Sequence, residues 1–215
     1  MELEDWGARW RDGHIGFHQS NVTGALEEFG PRVLGSVPGR VLVPLCGKTL
    51  DMVFLAQYAD AVIGVEYVEQ AVSEFFAEQG LEPLIDPDLP LRYTADKYTL
   101  FVSDIFLIKG EDVGDIDAVF DRAALVALEP AARVRYASHL RSILKAGARI
   151  LLVTFDYEQS QMHGPPFAVS DEEVTELFGD GFEIEHLRTR DVLDERFRAQ
   201  GLTKMTESTF ALIKR

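Results

Sequence analysis

Short apolar runs rich in β-branched residues alternate along this 215-residue chain with amphipathic stretches. Such alternation is typical of a parallel β-sheet covered by helices. The predicted strands are Arg40–Val43, Ala61–Val65, Leu100–Val102, Ala118–Phe120, Arg149–Phe155, Phe182–Leu187 and Glu207–Ile213. The predicted helices are Gly24–Leu34, Leu50–Tyr58, Glu69–Gln79, Ala131–Lys145 and Asp171–Phe178. We therefore predict an α/β fold with a Rossmann-like sheet of seven strands, the last two forming an antiparallel pair.

Two of these helices carry local signals of their own. In Ala131–Lys145, one apolar stripe near helical period is formed by Val134, Ala137, Leu140, Ile143 and Leu144. Before Asp171–Phe178, Ser170 followed by Glu173 forms a capping-box pattern. The first signal predicts an amphipathic helix, and the second predicts the start of the next helix.

The chain is predicted to form one domain over residues 1–215, because it contains no internal repeat and no low-complexity linker. An aromatic segment precedes the first strand and includes Trp6, Trp10 and Phe17. Residues 1–36 either pack on the sheet as structure or close over a ligand as a lid.

The charge balance narrows the class of partner. Lys and Arg number 21 against 36 Asp and Glu, which gives a formal charge of −15. A field of that sign repels phosphate backbones and anionic lipids, so we expect neither nucleic acid nor membrane partners. No apolar run approaches the roughly 20 residues that span a bilayer. The start of the sequence does not resemble a secretory signal, and a single cysteine suits a reducing compartment, so we expect a cytoplasmic protein. The sequence has no heptad pattern, which favours a monomer.

Ligands of open α/β sheets bind at the carboxyl ends of the strands, which directs attention to the residues after each strand. After the first strand, the turn 44–49 contains Gly47 and leads into a helix. Such a turn can bring backbone N–H groups close to a polar ligand, although an ordinary strand-to-helix turn has the same appearance. It is neither a G-x-G-x-x-G turn nor a Walker loop, so Lys48 is not read as a phosphate-binding lysine.

Acidic residues follow the next two strands. Glu66 lies about twenty residues beyond the turn, where a carboxylate can accept hydrogen bonds from ribose hydroxyls. The alternative is a solvated glutamate at a strand end. Asp104, in Ser103–Phe106, can accept from an adenine amino group while an apolar neighbour packs on the ring. It can equally be a helix cap.

Asp121 and Arg122 follow the fourth strand. An arginine at the mouth of the sheet can bind a carboxylate through a forked contact or stabilise an anion at a reacting centre. The alternative is a local Asp–Arg pair on the surface, which contributes little to stability.

Cys46 is interpreted as a buried structural thiol. The five histidines show no metal-ligand spacing, so no metal is expected.

Several segments together resemble thiopurine S-methyltransferases. They occur in family order and are Trp10 with His14–Gln19, Val43–Lys48, Gly64–Glu66, Asp121–Leu128 and Gly164–Phe167. The Pro-Leu-Cys-Gly-Lys and Gly-Pro-Pro-Phe segments are the most specific of these. The segment 86–97 is a spacer that does not align, which leaves the start of the third strand undefined.

The resemblance implies the class I methyltransferase fold, with seven strands and the last inserted antiparallel. It also implies S-adenosylmethionine as cofactor and S-adenosylhomocysteine as product. By matching motif positions, the implied cofactor contacts are Trp10, Leu45, Glu66, Asp104, Ile105 and Arg122. Gly47 joins them through the turn. Phe17 and Phe167 are expected at the acceptor pocket, together with Met162.

The implied reaction is methyl transfer to the sulfur of an aromatic or heterocyclic thiol, or to reduced selenium and tellurium species. Arg122 is the candidate for stabilising the acceptor thiolate, a role that competes with cofactor binding. No general base is expected, because aromatic thiols are already acidic. The alternatives are a thiol or halide methyltransferase on the same scaffold, a nicotinamide-dependent reductase, and a cofactor-binding module without turnover.

Overall fold

The computed structural model describes residues 3–16, 18–36 and 38–215. The helices in these ranges are α1 Leu3–Arg11, α2 Gly24–Val33, α3 Leu50–Leu55, α4 Glu69–Glu78, α5 Gly110–Val113, α6 Ala124–Ala127, α7 Pro130–Ile143, α8 Asp171–Phe178 and α9 Glu195–Ala199. The strands are β1 Arg40–Pro44, β2 Ala61–Glu66, β3 Leu84–Asp86, β4 Leu91–Ala95, β5 Tyr98–Val102, β6 Ala118–Asp121, β7 Arg149–Asp156, β8 Phe182–Asp191 and β9 Thr206–Lys214. Short 3-10 turns occupy Ile105–Leu107 and Gln159–Gln161.

The strands form one sheet in the order β3-β4-β5-β2-β1-β6-β7-β9-β8. Strands β5, β2, β1, β6 and β7 pair in parallel. Strand β9 lies between β7 and β8 and is antiparallel to both. The chain reverses its direction across the sheet between β1 and β6, which is the switch point where α/β sheets bind ligands.

Helices cover both faces of the sheet, because successive strand residues point to opposite sides. On one face, Val41 and Val43 join a hydrophobic cluster with buried side chains of α2, α3 and α4. On the other face, Leu42 joins a cluster with buried side chains of α7 and α8. The central strands therefore have apolar side chains on both faces, as buried parallel strands do.

The predicted α/β fold is confirmed, and so is the antiparallel insertion of the last strand. All seven predicted strands are present, each extended at one or both ends, and β5 begins at Tyr98. The predicted count of seven is wrong, because the sheet has nine strands. The two additional strands, β3 and β4, lie within or next to the spacer that the sequence left unassigned.

Strands β3 and β4 escaped prediction because neither presents a buried apolar run. In β3, Leu84 and Ile85 are both exposed. The hairpin between β4 and β5 pairs Ala95 with Tyr98 across two residues. Asp96 has a positive φ of 52° in this turn. The turn lacks the Asn-Gly or Asp-Gly pair that marks such turns in a sequence.

Helix α7 was predicted in the right place with one wrong core residue. Val134 is 67% exposed, whereas Arg133 and Tyr136 are buried. Arg133 enters the core because Nη1 donates to both carboxylate oxygens of Glu173, at 2.7 and 2.8 Å. The predicted cap is present, since the backbone N–H of Glu173 donates to Ser170 Oγ at 3.2 Å.

The N-terminal segment is structured in its described residues. Helix α2 matches the predicted Gly24–Leu34 and buries Leu26 and Phe29 against the sheet. Helix α1 lies before it and had no predicted bounds. Among the helices in the described ranges, none combines the length and the apolar character that crossing a bilayer demands.

Candidate functional site

A cavity of about 810 Å³ opens at the carboxyl ends of the parallel strands. Seven predicted site residues line it: Trp10, Leu45, Gly47, Glu66, Asp104, Ile105 and Arg122. They come from α1, from the end of β2, and from the turns after β1, β5 and β6. The fold thus brings together residues that are more than 110 positions apart in the sequence.

The turn after β1 has an unusual backbone. Leu45 and Gly47 both adopt positive φ, at 49° and 52°. For leucine this left-handed conformation is disfavoured, and such positions persist mainly where the surroundings enforce them, often at functional sites. Thr49 then caps α3, because its hydroxyl accepts a hydrogen bond from the N–H of Asp51 at 3.3 Å. The turn holds the backbone of residues 45–48 at the edge of the cavity.

Glu66 links the first two turns of the site. Its Oε2 accepts from the N–H of Gly47 at 2.8 Å, and its Oε1 accepts from the N–H of Val68 at 2.9 Å. The residue is only 8% exposed. Burial raises the pKa of Glu66, and the backbone N–H groups that it accepts from oppose that rise. The alternative of a solvated strand-end glutamate is wrong, and the remaining lone pairs of the carboxylate can accept from a ligand diol.

Asp104 serves as a cap at the turn after β5. Its Oδ1 accepts from the N–H of Phe106 at 3.0 Å, while Asp104 also lines the cavity. Beside it, Ile105 is buried. The Phe106 ring has the Arg135 guanidinium 4.0 Å from its centroid and the edge of His139 nearby. This corner combines apolar surface with a carboxylate, which suits a flat heterocycle bearing a donor.

Asp121 supports the turn after β6 and does not form a surface pair with Arg122. It is 1% exposed, and its Oδ1 accepts from the N–H groups of Ala124 and Leu125 at 3.0 and 3.2 Å. Its Oδ2 accepts from the Tyr136 hydroxyl at 2.7 Å. Burial raises the pKa of Asp121 to about 6. The carboxylate fixes the backbone from which Arg122 projects.

Arg122 shares its end of the cavity with a carboxylate that the sequence did not single out. Asp51 is buried at the start of α3 and also lines the cavity. Its carboxylate accepts from the Thr23 N–H at 2.7 Å, and from the hydroxyls of Thr23 and Thr49 at 2.9 Å each. Burial lowers the pKa of Arg122, and the negative charges of Asp51 and Glu207 counteract that shift.

Glu207 is the second carboxylate that sequence reasoning missed. It is buried on β9 and accepts from Arg190 Nε at 2.7 Å, and both side chains line the cavity. The available signal was an acidic residue near the start of a strand that continues into the apolar run 210–213, since buried glutamates are rare unless paired. No comparable signal marked Asp51, because its partner Thr23 lies 28 residues away in the sequence.

Helix α1 closes one side of the cavity. Trp10 is 4% exposed and packs with Val68 and Ala71. Its Cζ2 would lie 3.3 Å from a Cβ added at Gly47, so glycine permits the ring to approach this turn closely. The segment after α1 also lines the cavity, and Arg196 Nη1 donates to the carbonyl of Gly16 at 2.8 Å.

The two predicted acceptor-site phenylalanines have different outcomes. Phe17 lies outside the described residues, and its role stays a prediction. Phe167 is placed with its ring against Gly164, and its N–H donates to the carbonyl of Val126 at 2.7 Å. Pro165 and Pro166 line the cavity, whereas Phe167 is not among its described lining residues.

Cys46 is buried, as predicted. Burial, together with the nearby Glu66 charge, raises the pKa of the Cys46 thiol well above its ordinary value. The thiol therefore stays protonated and is unsuited to nucleophilic attack. Across the described ranges, no group of three or more His, Cys, Asp or Glu side chains is arranged to hold a metal ion.

The lining residues fit S-adenosylmethionine. Glu66 offers a buried acceptor for the ribose hydroxyls, and the Asp104–Phe106 corner offers apolar surface and a carboxylate for the adenine. Gly47 lets the Trp10 ring close against the turn that lines the cavity. The cavity volume lies within the range that protein sites for small molecules occupy.

Comparison with known proteins agrees with this fit. The model of the family described as Thiopurine S-methyltransferase matches residues 1–215. Thiopurine S-methyltransferase of Pseudomonas fluorescens (strain Pf0-1) is 45% identical over 99% of both chains. That of Bordetella petrii is 46% identical over 99% of this chain and 98% of its own. The structure of Burkholderia thailandensis 1,6-didemethyltoxoflavin-N1-methyltransferase with bound S-adenosylhomocysteine superposes with a TM-score of 0.66 at 15% identity, covering 99% of this chain and 87% of that one.

Proposed function

Because this chain belongs to the thiopurine S-methyltransferase family and is an S-adenosylmethionine-dependent methyltransferase, we propose that it methylates the sulfur of aromatic or heterocyclic thiols. Reduced selenium and tellurium species belong to the same proposal, because they are soft nucleophiles like sulfur. The nicotinamide-dependent reductase considered from the sequence is set aside by the family membership. In this proposal the enzyme is cytoplasmic and monomeric. Within residues 1–36, the lid is the α1 part, because α2 packs on the sheet.

The observation that carries the proposal is the position of Arg122. Its guanidinium lines the same cavity as Glu66 and Asp104 but projects from the end of β6, on the other side of β1 from them. One cavity thus offers cofactor-type contacts together with a cation that can face an acceptor anion. Pro165 and Pro166 add apolar surface to the cavity.

Bound S-adenosylmethionine supplies an activated methyl group on a sulfonium, and the residues of the chain align the two reactants. Glu66 and the Asp104–Ile105 pair hold the nucleoside, while Trp10 and Leu45 restrict its movement. Correct alignment and exclusion of water contribute up to roughly 7–11 kcal/mol in well-oriented reactions. No covalent enzyme intermediate is needed, which accords with the protonated, buried Cys46 thiol.

Arg122 acts on the acceptor in this proposal. A thiol reacts as its thiolate, and a nearby guanidinium lowers the thiol pKa by favouring the charged form. Asp51 and Glu207 partly offset that effect, because they place negative charge in the surroundings of Arg122. Acceptors that are already acidic are therefore favoured, which agrees with aromatic and heterocyclic thiols.

The first test is calorimetric titration with S-adenosylhomocysteine, which binds without reacting. We expect micromolar binding in the wild-type protein and at least tenfold weaker binding in Glu66→Ala, because the ribose loses its buried acceptor. Glu183→Ala, an exposed glutamate on β8, is the matched control and should bind as the wild type does. Equal affinities in all three proteins would contradict the role of Glu66.

An acceptor panel then separates the substrate classes. Thiopurines and other aromatic thiols should be methylated faster than aliphatic thiols, and halides should not react. Efficient halide methylation would favour the thiol or halide methyltransferase on the same scaffold. Tight binding of S-adenosylhomocysteine with no turnover of any acceptor would favour a cofactor-binding module without catalysis.

A further inference from the structure

Lys48 belongs to the Pro-Leu-Cys-Gly-Lys turn, yet the proposed chemistry gives it no task. Its side chain is largely covered, with 11% of its surface exposed. Nζ donates to Glu74 Oε2 at 2.7 Å and to Glu78 Oε1 at 2.6 Å. Both glutamates lie on α4, so Lys48 ties the turn after β1 (the cofactor turn, residues 45–48) to the helix that follows β2.

The ion triad of Lys48, Glu74 and Glu78 also faces helix α1. The Lys48 ammonium lies 5.9 Å from the centroid of the Trp10 ring, within the range of cation–π attraction. The same ring packs on Val68 and Ala71 at the start of α4 and approaches Gly47. Trp10 therefore rests on a surface whose parts come from the turn and from α4, and Lys48 joins these two parts.

The segment after α1 lies close to the same charges. Burial lowers the pKa of His18, and the adjacent Lys48 charge lowers it further. Glu78 and Glu74 act on His18 in the opposite direction. The triad thus neighbours the N-terminal segment both at Trp10 in α1 and at His18 beyond it.

We propose that Lys48, held between Glu74 and Glu78, is a positioning residue that keeps Trp10 and helix α1 docked over the cofactor turn. The inference deepens the proposed function, on which it depends for the contact between Trp10 and the cofactor. Without the ammonium, Trp10 loses its cation–π partner and the turn loses its tie to α4. Helix α1 then samples undocked positions, and the cofactor binds more weakly because docking must be restored first.

The two tryptophans of the chain make docking directly measurable. Both lie in α1, at Trp6 and Trp10. In a Trp6→Phe background, the intrinsic tryptophan emission comes from Trp10 alone, which is buried when α1 is docked. Measuring the Trp10 emission requires no cofactor. It therefore remains informative even if the protein fails to bind S-adenosylhomocysteine and the proposed function is wrong.

The test compares Lys48→Met with Lys48→Arg in that background. We expect Lys48→Met to shift Trp10 emission to longer wavelength and to weaken S-adenosylhomocysteine binding about tenfold, with the unfolding temperature nearly unchanged. Lys48→Arg keeps the charge and both glutamate partners, so it should restore emission and affinity. The double variant Glu74→Gln/Glu78→Gln should resemble Lys48→Met, and adding Lys48→Met to it should cause little further loss.

Wild-type emission and affinity in Lys48→Met would overturn the proposal. A lowered unfolding temperature with unchanged emission and affinity would also overturn it, because Lys48 would then be purely structural. Lys109→Met is the matched control, since that lysine is exposed and its ammonium pairs only with the adjacent Glu111 in the described structure. It should leave emission and affinity unchanged.

Discussion

Arg122 lies in a part of the cavity that also contains two buried carboxylates from distant parts of the chain. Asp51 comes from α3 and Glu207 from β9. The negative charges of both carboxylates act on the guanidinium and partly offset its positive charge. In the proposed function, the effect of Arg122 on an acceptor therefore depends on how acidic that acceptor already is. The competing assignments of Arg122, to the cofactor and to the acceptor, can be separated on this basis.

Arg122→Met should lower kcat/KM on the order of 10²-fold for aliphatic thiols and much less for acidic aromatic thiols. The reason is that only thiols of high pKa need the guanidinium to form thiolate. Affinity for S-adenosylhomocysteine should change little. Steady-state kinetics across thiols of graded pKa and calorimetry provide the measurements, with Arg198→Met, an exposed residue of α9, as control. Lost cofactor affinity with uniform kinetic effects would instead assign Arg122 to the cofactor.

At the scale of residues, the sequence predicted which positions follow the strands but not what their side chains contact. Glu66 and Asp104 could be located because strand ends meet at one edge of the sheet. Asp51 could not, because its role depends on Thr23, a contact made only after α2 packs on the sheet. Arg133 was missed for a related reason, since its burial depends on Glu173 in another helix.

Among the elements, the junction of β6, α6 and α7 depends on one carboxylate. Asp121 accepts from backbone N–H groups at the start of α6 and from Tyr136 on α7. These bonds explain why the short helix Ala124–Ala127 keeps a fixed position beside the cavity. Burial of this carboxylate raises its pKa, which makes the junction sensitive to pH.

The folded-state pKa of Asp121, about 6, lies above its ordinary value of 3.8, so the folded protein holds this proton more tightly than the unfolded chain. Its contribution to stability is therefore full below about pH 4 and is lost as the pH rises through about 6. The shift corresponds to about 3 kcal/mol. We expect Asp121→Asn to remove this part of the pH dependence, measured by urea unfolding at about pH 4.5 and about pH 7.

Asp180→Asn provides the comparison for that experiment, since Asp180 is an exposed carboxylate after α8. It should preserve the wild-type dependence on pH. If Asp121→Asn and the wild type lose stability equally between those two pH values, the buried carboxylate does not titrate as inferred.

The elements found from sequence are those with continuous apolar runs. Strands β1, β2, β6 and β7 are buried on both faces, which makes their sequences unambiguous. Strands β3 and β4 form an antiparallel edge with mixed exposure, and the pattern of their residues resembles that of a loop. The edge of the sheet was therefore less predictable than its centre.

For the whole molecule, we propose a single cooperative domain. The two hydrophobic clusters lie on opposite faces of the same strands, so neither can lose its packing without disturbing the other. The chain has a formal charge of −15. Its cavity nevertheless contains several arginines, including Arg122 and Arg190. The cavity thus presents positive side chains despite the net negative charge of the protein, which suits the anionic acceptor of the proposed function.

Differential scanning calorimetry should show one transition with equal calorimetric and van't Hoff enthalpies. S-adenosylhomocysteine at about 100 times its Kd should add about 2.7 kcal/mol of stability. For a domain of this size, that raises Tm by roughly 5–11 °C. Two separate transitions would contradict the single domain, and an unchanged Tm would contradict binding to the folded state.

The insertion of β9 between β7 and β8 has a consequence for biosynthesis. A ribosome completes β7 and then β8 before β9 exists, so β8 emerges without its neighbour and exposes unpaired N–H and C=O groups. Glu207, carried by β9, is the last of the described cavity residues to be translated. A nascent chain can therefore form the turn after β1 early, but it completes the part of the cavity that contains Glu207 only when β9 has left the exit tunnel. Prematurely terminated products would keep an open sheet and an incomplete site, which makes them substrates for cellular quality control.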